Sequence, residues 1–169
     1  MIDSTPIVVI AGQVGTGLLG TDAFQEVDLV GITQPISKWS YQIRRAEDVA
    51  WAVSRAFYIA RSGRPGPVVL DFAKNAQVEK TAYTPVDVDF IRSYDPNPDV
   101  DMECIKAAAD CINAAKRPLV LVGQGVELGN AQQELKSFLE KGDLPCGCTL
   151  LGLSAIATDH PLNKGMLGM

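Results

Sequence analysis

The feature that most constrains the fold is a glycine-rich stretch that directly follows an apolar strand. Residues 7–11 form a continuous apolar and largely β-branched run, which is typical of a strand buried on both faces of a parallel sheet. Four glycines then follow within the nine residues from Gly12 to Gly20. Because ligands of open α/β sheets bind at the carboxyl ends of strands, Gly12–Glu26 is predicted to be a ligand-contacting loop. Within it, Asp22 is expected to cap a short helical turn over residues 23–25.

The rest of the chain alternates helical and strand patterns. A helix is predicted over residues 46–61, and Pro67 opens a second buried strand over residues 68–72. After a polar, proline-containing segment the pattern restarts with a helix whose apolar face carries Met102, Ile105, Ala109 and Ile112. A strand over 119–122, a helix over 128–141 and a strand over 146–150 are predicted to follow. The predicted fold class is α/β, with two partial parallel-sheet, Rossmann-like three-layer units joined by a linker.

Composition and charge exclude several classes of partner. The 169 residues are 47% apolar, which is enough to bury a core, and 15 basic residues stand against 20 acidic ones. The net charge of −5 argues against a nucleic-acid partner, because no basic stripe can follow the phosphates. No signal peptide and no apolar run approaching the length of a membrane span is present in the sequence, so a cytoplasmic protein without a membrane partner is expected.

The cysteines and the single histidine do not form a metal-binding pattern. Cys104 and Cys111 lie seven residues apart on a predicted helix and are separated by about 10 Å of rise, which is too far for one ion. Cys146 and Cys148 can share one face of a strand. We therefore predict no metal site and reduced, partly buried thiols. His160 lies in a predicted loop, where an exposed structural role is favoured over catalysis.

Five sequence blocks resemble one enzyme family in the same order. Gly12-Gln13-Val14 followed by Gly-Thr-Asp-Ala-Phe-Gln-Glu at 20–26 resembles acetolactate synthase (acetohydroxyacid synthase) catalytic subunits, which are thiamine diphosphate-dependent transferases. The resemblance recurs over residues 62–74, 122–125, 149–152 and 167–169 and covers nearly the whole chain. It implies an enzyme that condenses two 2-oxo acids, two pyruvates giving 2-acetolactate and CO2. This reaction belongs to the biosynthesis of the branched-chain amino acids valine and isoleucine.

The resemblance also implies that the chain is an internal fragment. Members of this family are several times longer, and they bind magnesium through a Gly-Asp-Gly…Asn motif that is absent from this sequence. Residues 1–78 correspond to the C-terminal part of the pyrimidine-binding domain, 79–100 to a linker, and 101–169 to the N-terminal part of the middle, flavin- or nucleotide-binding-like domain. Thiamine diphosphate and Mg²⁺ are therefore expected in the full-length parent, and the fragment is expected to be inactive alone.

Three residues are assigned to the substrate channel by the resemblance: Phe24, Gln25 and Lys74. An amide can stabilise an oxyanion, an aromatic ring can exclude water, and a lysine can attract the carboxylate of pyruvate. The residues alone favour plainer roles: a core aromatic for Phe24, a helix-surface amide for Gln25 and a solvated charge for Lys74.

A second set is assigned to a bound flavin, FAD, by the same resemblance. Arg64 is the main contact implied by the resemblance. The local sequence alone indicates a solvated arginine at a helix end. Gly123 and Gly125 follow a strand and by themselves indicate an ordinary strand-to-helix turn, because the dinucleotide fingerprint is incomplete. The remaining contacts implied by the resemblance are Asp3, Thr149, Leu150, Leu151, Gly168 and Met169.

Two departures from the family pattern and two alternative functions remain. Gly15 replaces a frequent proline, and Gln124 stands where small residues are usual. The alternatives are another thiamine diphosphate-dependent carboligase or decarboxylase, and a non-catalytic α/β nucleotide-binding module. Because a parallel sheet cut between strands exposes edges and apolar faces, a homo-oligomer is expected. The resemblance adds a regulatory subunit as a further expected partner.

Overall fold

The computed structural model describes residues 1–168, which divide into two compact units between Asp99 and Val100. Each unit contains a three-stranded parallel sheet with helices, so the predicted α/β fold class is confirmed. Within residues 1–168, no helix is both long and apolar enough to cross a membrane.

The first unit is built around the central strand of its sheet. Its elements are β1 (Val8–Gln13), α1 (Leu29–Thr33), β2 (Trp39–Ile43), α2 (Val49–Arg61), β3 (Val68–Ala73) and α3 (Lys74–Val78). The strand order is β1-β3-β2, and all strands run parallel. Leu70 of β3 and Ile43 of β2 are fully buried and pack with Ala52 and Ala56 of α2. The apolar spacing predicted for residues 46–61 therefore does face the sheet.

The prediction that the first strand is buried on both faces is wrong. β1 lies at an edge of the sheet, and Val9 and Ile10 are 42% and 62% exposed. The centre of this sheet is occupied by β3, which has five of its six residues buried. The continuous apolar run of β1 therefore lies in an edge strand. Apolar continuity identified a parallel strand but not its place in the order.

Strand β2 was not predicted from the sequence. It carries an aromatic cluster in which Trp39 stacks on Tyr41 with ring centroids 5.2 Å apart, and Trp51 of α2 meets Trp39 edge-on at 6.0 Å. The guanidinium of Arg55 lies over both indole rings, 5.4 Å from Trp39 and 5.3 Å from Trp51. The cluster fixes α2 on the outer strand through aromatic and cation–π contacts.

Residues 79–99, most of the predicted linker, belong to the first unit. Ile91 is buried in its core, and Tyr94 packs edge-on against Tyr58 of α2. The Tyr94 hydroxyl also donates to the Ser62 carbonyl at 2.9 Å, and Lys38 donates to the same carbonyl at 2.7 Å. This hydrogen-bonded group satisfies carbonyls at the C-terminal end of α2.

The second unit has a smaller sheet. Its elements are α4 (Met102–Ala114), β4 (Val120–Val122), α5 (Gly125–Leu128), α6 (Gln132–Gly142), β5 (Cys146–Cys148) and β6 (Asn163–Met166). The strand order is β4-β5-β6, and β5 is buried throughout. Leu139 of α6 and Val122 of β4 are buried with Cys146 and Cys148 of β5 in the core of this unit.

Several elements of the second unit differ from the predictions. The helix predicted over 128–141 begins later, as α6 at Gln132, because Asn130 adopts the left-handed conformation (φ 50°). The short helix α5 before it was not predicted. The strand predicted to reach Leu150 ends at Cys148, and residues 150–155 form a 3₁₀ segment. Strand β6 was not predicted, since its sequence, Asn-Lys-Gly-Met, has no strand-like alternation.

Helix α4 exposes most of the face that was expected to be buried. Only Ile112 is half-buried and packs on the core, whereas Met102 and Ile105 are 68% and 49% exposed. Cys104 and Cys111 on this helix are also exposed, which corrects the prediction of partly buried thiols. Cys146 and Cys148 are fully buried, and burial raises the pKa of the Cys146 thiol.

Candidate functional site

The loop Gly12–Glu26 begins where all three strands of the first sheet end. The strand register pairs Gln13 with Ala73 and Ile43 with Phe72, so the carboxyl ends of β1, β2 and β3 meet at one edge. This is the edge at which parallel sheets bind ligands. The structure therefore places the loop at the predicted side of the sheet.

The side chain of Gln13 joins the two ends of this loop by hydrogen bonds. Its Oε1 accepts a hydrogen bond from the Val14 backbone N–H at 2.9 Å, and its Nε2 donates to the Val27 carbonyl at 2.7 Å. Val14 is the first residue after β1, and Val27 follows the last residue of the loop. One buried amide thus joins the two ends of the loop, with both of its polar atoms in use.

Asn75 attaches the loop to the ends of the other two strands. Its Oδ1 accepts from the Thr16 N–H at 3.0 Å, and its Nδ2 donates to the Arg44 carbonyl at 2.8 Å. The Lys74 N–H reaches the Val14 carbonyl at 3.4 Å. These contacts come from residues that directly follow β2 and β3, so the loop is held by the sheet edge and not only by itself.

Glu26, and not Asp22, supplies the carboxylate that organises the tip of the loop. Glu26 accepts from the backbone N–H groups of Gly20, Thr21 and Ala23. The N–H groups of Gly20 and Ala23 lower the pKa of this carboxyl below its ordinary value. Asp22 adopts a left-handed conformation (φ 59°), so the predicted cap and helical turn over 23–25 are wrong.

The structure presents the three substrate-channel candidates on the surface of this region. Phe24 is 89% exposed, which excludes the alternative of a core aromatic. Gln25 is exposed with φ 66°, and Lys74 begins α3 with an exposed side chain. Among residues 1–168, no hydrogen bond joins the Lys74 side chain to Phe24 or Gln25. Their assignment to a substrate channel stays a prediction.

An open groove of about 740 Å³ lies between this loop and strand β2. Its polar lining comes from both sides and includes Gly20, Glu26, Asp28, Gln42, Arg44 and Arg45. Arg45 is paired with Glu47 at 2.7 Å and with Asp48 at 3.2 Å. Arg44 contacts Gln42 Oε1 through its Nε at 2.8 Å, and within residues 1–168 it forms no ion pair. The groove thus contains a guanidinium that is free to meet an anion.

Arg64 binds the first turn of the chain. Its Nε donates to Ser4 Oγ at 2.8 Å and its Nη2 to the Ile2 carbonyl at 3.0 Å. Asp3 lies between these partners and is exposed. Gly63 precedes Arg64 in the left-handed conformation (φ 56°), which turns the chain after α2. The structure therefore brings Arg64 and Asp3 into one neighbourhood, and their flavin contact stays a prediction.

In the second unit, the predicted flavin residues gather at the carboxyl ends of β4 and β5. The Thr149 N–H donates to the Val122 carbonyl at 2.8 Å, which aligns the two strand ends. A Cβ placed on Gly123 would meet Thr149 Oγ1 at 3.9 Å, and one on Gly125 would meet nothing within 4 Å. The backbone at both glycines is accordingly open to a ligand.

The neighbouring leucines form an apolar surface beside this turn. Leu150 is 69% exposed and Leu151 is 44% exposed. Gly152 lies directly against β4, where a Cβ would stand only 2.5 Å from the Val122 carbonyl oxygen. Gly168 has φ 105° and open space around it, and Met169 lies outside the described residues.

Several positioning residues were missed in the sequence. Gln13, Asn75 and the buried Asp71 make long-range hydrogen bonds, and no local spacing in the sequence indicates them. Glu26 carried a usable signal, because a carboxylate that follows a glycine-rich turn can accept its backbone N–H groups. Within residues 1–168, no group of three or more His, Cys, Asp or Glu side chains is arranged to hold a metal ion.

Comparison with known proteins agrees with this architecture. Residues 105–169 match the family described as thiamine pyrophosphate enzyme, central domain. The whole fold is similar, with a TM-score of 0.79 and 31% identity, to the X-ray structure of a candidate thiamin diphosphate-dependent enzyme isolated from Mycobacterium smegmatis. That match covers 99% of this chain and 32% of the other.

Sequence relatives identify the family more narrowly. The chain is 43% identical over 171 residues to the acetolactate synthase large subunit of Buchnera aphidicola subsp. Schlechtendalia chinensis. It is 42% identical over 170 residues to the acetolactate synthase isozyme 3 large subunit of Escherichia coli K12. Both matches cover 99% of this chain and 30% of the relative. The predicted resemblance is confirmed: over 99% of its length the chain is similar to one segment of acetolactate synthase large subunits.

Proposed function

We propose that the chain supplies the substrate-facing loop of an enzyme that condenses two 2-oxo acids, two pyruvates giving 2-acetolactate and CO2. The observation that carries this proposal is the loop Gly12–Glu26, which is clamped at the sheet edge by Gln13 and Asn75 and presents Phe24 to solvent. The names of the relatives supply the proposed reaction, and the clamped, exposed loop supports its assignment to this part of the chain.

The groove beside the loop suits the charge of such a substrate. A 2-oxo acid carries a carboxylate, and Arg44 on one wall offers a planar pair of donors that matches a carboxylate. Lys74 at the end of β3 adds a second positive charge at the same sheet edge. Phe24 would exclude water from the reacting carbons, and Gln25 would donate to a developing oxyanion.

Thiamine diphosphate is the coenzyme that the family implies, and Mg²⁺ is proposed with it. The fit of this chain to them is partial: the loop offers exposed backbone and an aromatic side chain, whereas residues 1–168 contain no carboxylate cluster for the metal. When bound, the coenzyme would supply the carbon nucleophile. This chain's own residues would bind and orient the 2-oxo acid and keep water away.

A flavin is proposed as a second bound group. In the second unit, open backbone at Gly123 and Gly125, the Thr149 hydroxyl and the exposed Leu150 would accept a flat ring with polar edges. In the first unit, Arg64 would offer the guanidinium donors that Ser4 and Ile2 leave unused.

We also propose the domain boundaries of this chain. Residues 1–78 are proposed to form the C-terminal part of a pyrimidine-binding domain, 79–100 a linking segment of which 79–99 pack within the first unit, and 101–169 the N-terminal part of the middle domain. The match of residues 105–169 to the central domain supports the last of these. The term large subunit in the names of the relatives supports a smaller regulatory partner. The exposed apolar residues of β1 and α4 support homo-oligomers. A cytoplasmic location is part of the same proposal.

The decisive experiment expresses the complete gene product and supplies pyruvate, thiamine diphosphate and Mg²⁺. We expect 2-acetolactate to form, and we expect Arg44→Gln to raise KM for pyruvate by roughly tenfold, as the loss of a charged hydrogen bond should. Arg92→Gln, at an exposed arginine in the same unit, is the matched control. Absence of acetolactate from the wild-type reaction would overturn the proposed activity.

The flavin proposal has its own readout on the 169-residue chain. We expect FAD fluorescence to be quenched on titration with the wild type, and the quenching to weaken in Arg64→Gln and in Gly125→Val. A titration in which the wild type leaves FAD fluorescence unchanged would contradict it. Arg117→Gln, an exposed arginine outside the proposed contacts, serves as control.

A further inference from the structure

Asp71 is a carboxylate buried in the middle of the first sheet. It lies on the central strand β3 and is 1% exposed. Its Oδ2 accepts from Gln42 Nε2 of β2 at 2.7 Å and from Gln13 Nε2 of β1 at 3.4 Å. Its Oδ1 has no hydrogen-bond partner among residues 1–168. A buried carboxylate without a paired cation costs free energy, so this side chain is unfavourable for stability alone.

The contact with Gln13 gives the carboxylate an effect on the loop. Gln13 Oε1 must face the Val14 N–H, and its Nε2 must face the Val27 carbonyl, because only this orientation matches donors with acceptors. Asp71 can accept only from the Nε2 side. It therefore selects the amide orientation in which Gln13 bridges both ends of the loop.

The contact with Gln42 gives it a second effect, on the groove. Gln42 donates to Asp71 through Nε2, which leaves Oε1 to accept from Arg44 Nε at 2.8 Å. Gln42 and Arg44 both line the groove between the loop and β2. One buried carboxylate thus orients two amides. Gln13 holds the loop, which forms one wall of the groove, and Gln42 contacts Arg44 on the opposite wall.

We infer that Asp71 is a positioning residue, whose buried carboxylate orients Gln13 and Gln42 and thereby sets the loop Gly12–Glu26 and Arg44 for the substrate. That the groove receives a substrate rests on the proposed function. The effect on the geometry of the loop does not, because it follows from the hydrogen bonds alone.

The first test measures hydrogen exchange in the 169-residue chain. Asp71→Asn keeps the size of the side chain and removes its charge, and we expect the Val14 and Thr16 amides to exchange about tenfold faster, the factor for one charged hydrogen bond. Amides of helix α2 should be unchanged. Asp89→Asn, at an exposed aspartate of the same unit, is the control. Unchanged exchange at Val14 and Thr16, or a uniform rise that includes α2, would overturn the proposal.

Two further variants separate positioning from simple loss of packing. Gln13→Leu removes the bridge itself, so its effect on exchange and that of Asp71→Asn should not add in the double variant. Gln42→Met removes the strongest partner of Asp71 and should release Arg44 while Val14 stays protected. Additive effects of Gln13→Leu and Asp71→Asn on exchange would contradict the inference that Asp71 acts on the loop through Gln13.

The second test uses the complete gene product and pyruvate. We expect Asp71→Asn to raise KM about tenfold with kcat within about threefold of wild type, because the groove is misplaced while the reacting groups remain. A fall in kcat at constant KM would overturn the positioning role. If the wild type forms no acetolactate, the proposed function fails, and the exchange measurements still decide the effect of Asp71 on the loop.

Discussion

The two units each end a parallel strand in glycines, yet they hold the following segment in different ways. In the first unit, side chains secure the loop: Gln13 joins its ends, Asn75 ties it to the sheet, and Glu26 organises its tip. In the second unit, backbone contact secures the turn: Thr149 N–H reaches the Val122 carbonyl, and Gly152 packs against the same carbonyl.

This difference teaches where each unit tolerates change. A segment held by side-chain hydrogen bonds can be loosened one bond at a time, each worth about 1 kcal/mol. A turn held by close backbone packing has no room for an added atom, so a single methyl group is disruptive. The first arrangement suits an adjustable loop over a substrate, and the second suits a rigid platform.

The largest effect is expected for Gly152→Ala, which tests the close backbone packing of the second unit. The new Cβ would stand 2.5 Å from the Val122 oxygen and 3.0 Å from Gly123 backbone atoms, so the two strand ends must separate. We expect a loss of about 3 kcal/mol in the free energy of unfolding of the second unit, measured by circular dichroism in denaturant. Gly125→Ala is the matched control, because its Cβ meets nothing within 4 Å. Equal stability of the two variants would contradict the packing argument.

In the first unit the corresponding change is Asn75→Ala. It removes the bonds to the Thr16 N–H and the Arg44 carbonyl but leaves the sheet intact. We expect the loop to open about 1–2 kcal/mol more easily, seen as faster chymotrypsin cleavage after the exposed Phe24. Asn97→Ala, at an exposed asparagine, should leave cleavage unchanged. Cleavage at the same rate in Asn75→Ala would show that the loop does not depend on the sheet edge.

A stabilising change should be possible at Gly15. Its backbone has φ −63° and ψ 151°, which proline adopts, and a Cβ there meets nothing within 4 Å. Because proline restricts the unfolded chain, Gly15→Pro should stabilise the first unit by about 0.4–1 kcal/mol. The midpoint of thermal unfolding should rise. Gly20→Pro, at φ 78°, should instead destabilise, and stabilisation by both variants would refute the conformational argument.

The smallest expected effect is a pH dependence of the loop tip. The N–H groups of Gly20 and Ala23 lower the pKa of Glu26, so the stabilisation is complete above its ordinary value of 4.5 and is lost as pH falls through the lowered pKa. The Ala23 amide shift in NMR should titrate in that range. Glu26→Gln should abolish the titration, and a titration that persists in Glu26→Gln would exclude Glu26 as its cause.

Apolar periodicity predicted the features that depend on local sequence. It did not predict contacts between residues far apart in the chain. The core face of α2 and the central strand β3 follow from apolar spacing. The edge position of β1 does not, because strand order depends on partners elsewhere in the chain. The candidate loop was found from its glycines, but Asn75 and Asp71 were not, since their hydrogen bonds span 59 and 58 residues.

The aromatic cluster of β2 and α2 determines how unfolding of this protein can be observed. The chain has two tryptophans, Trp39 and Trp51, and both lie in the first unit beside Arg55. Intrinsic tryptophan fluorescence therefore reports on the first unit and is silent for the second. A denaturation curve that differs between fluorescence and circular dichroism would resolve the two units as separate cooperative transitions.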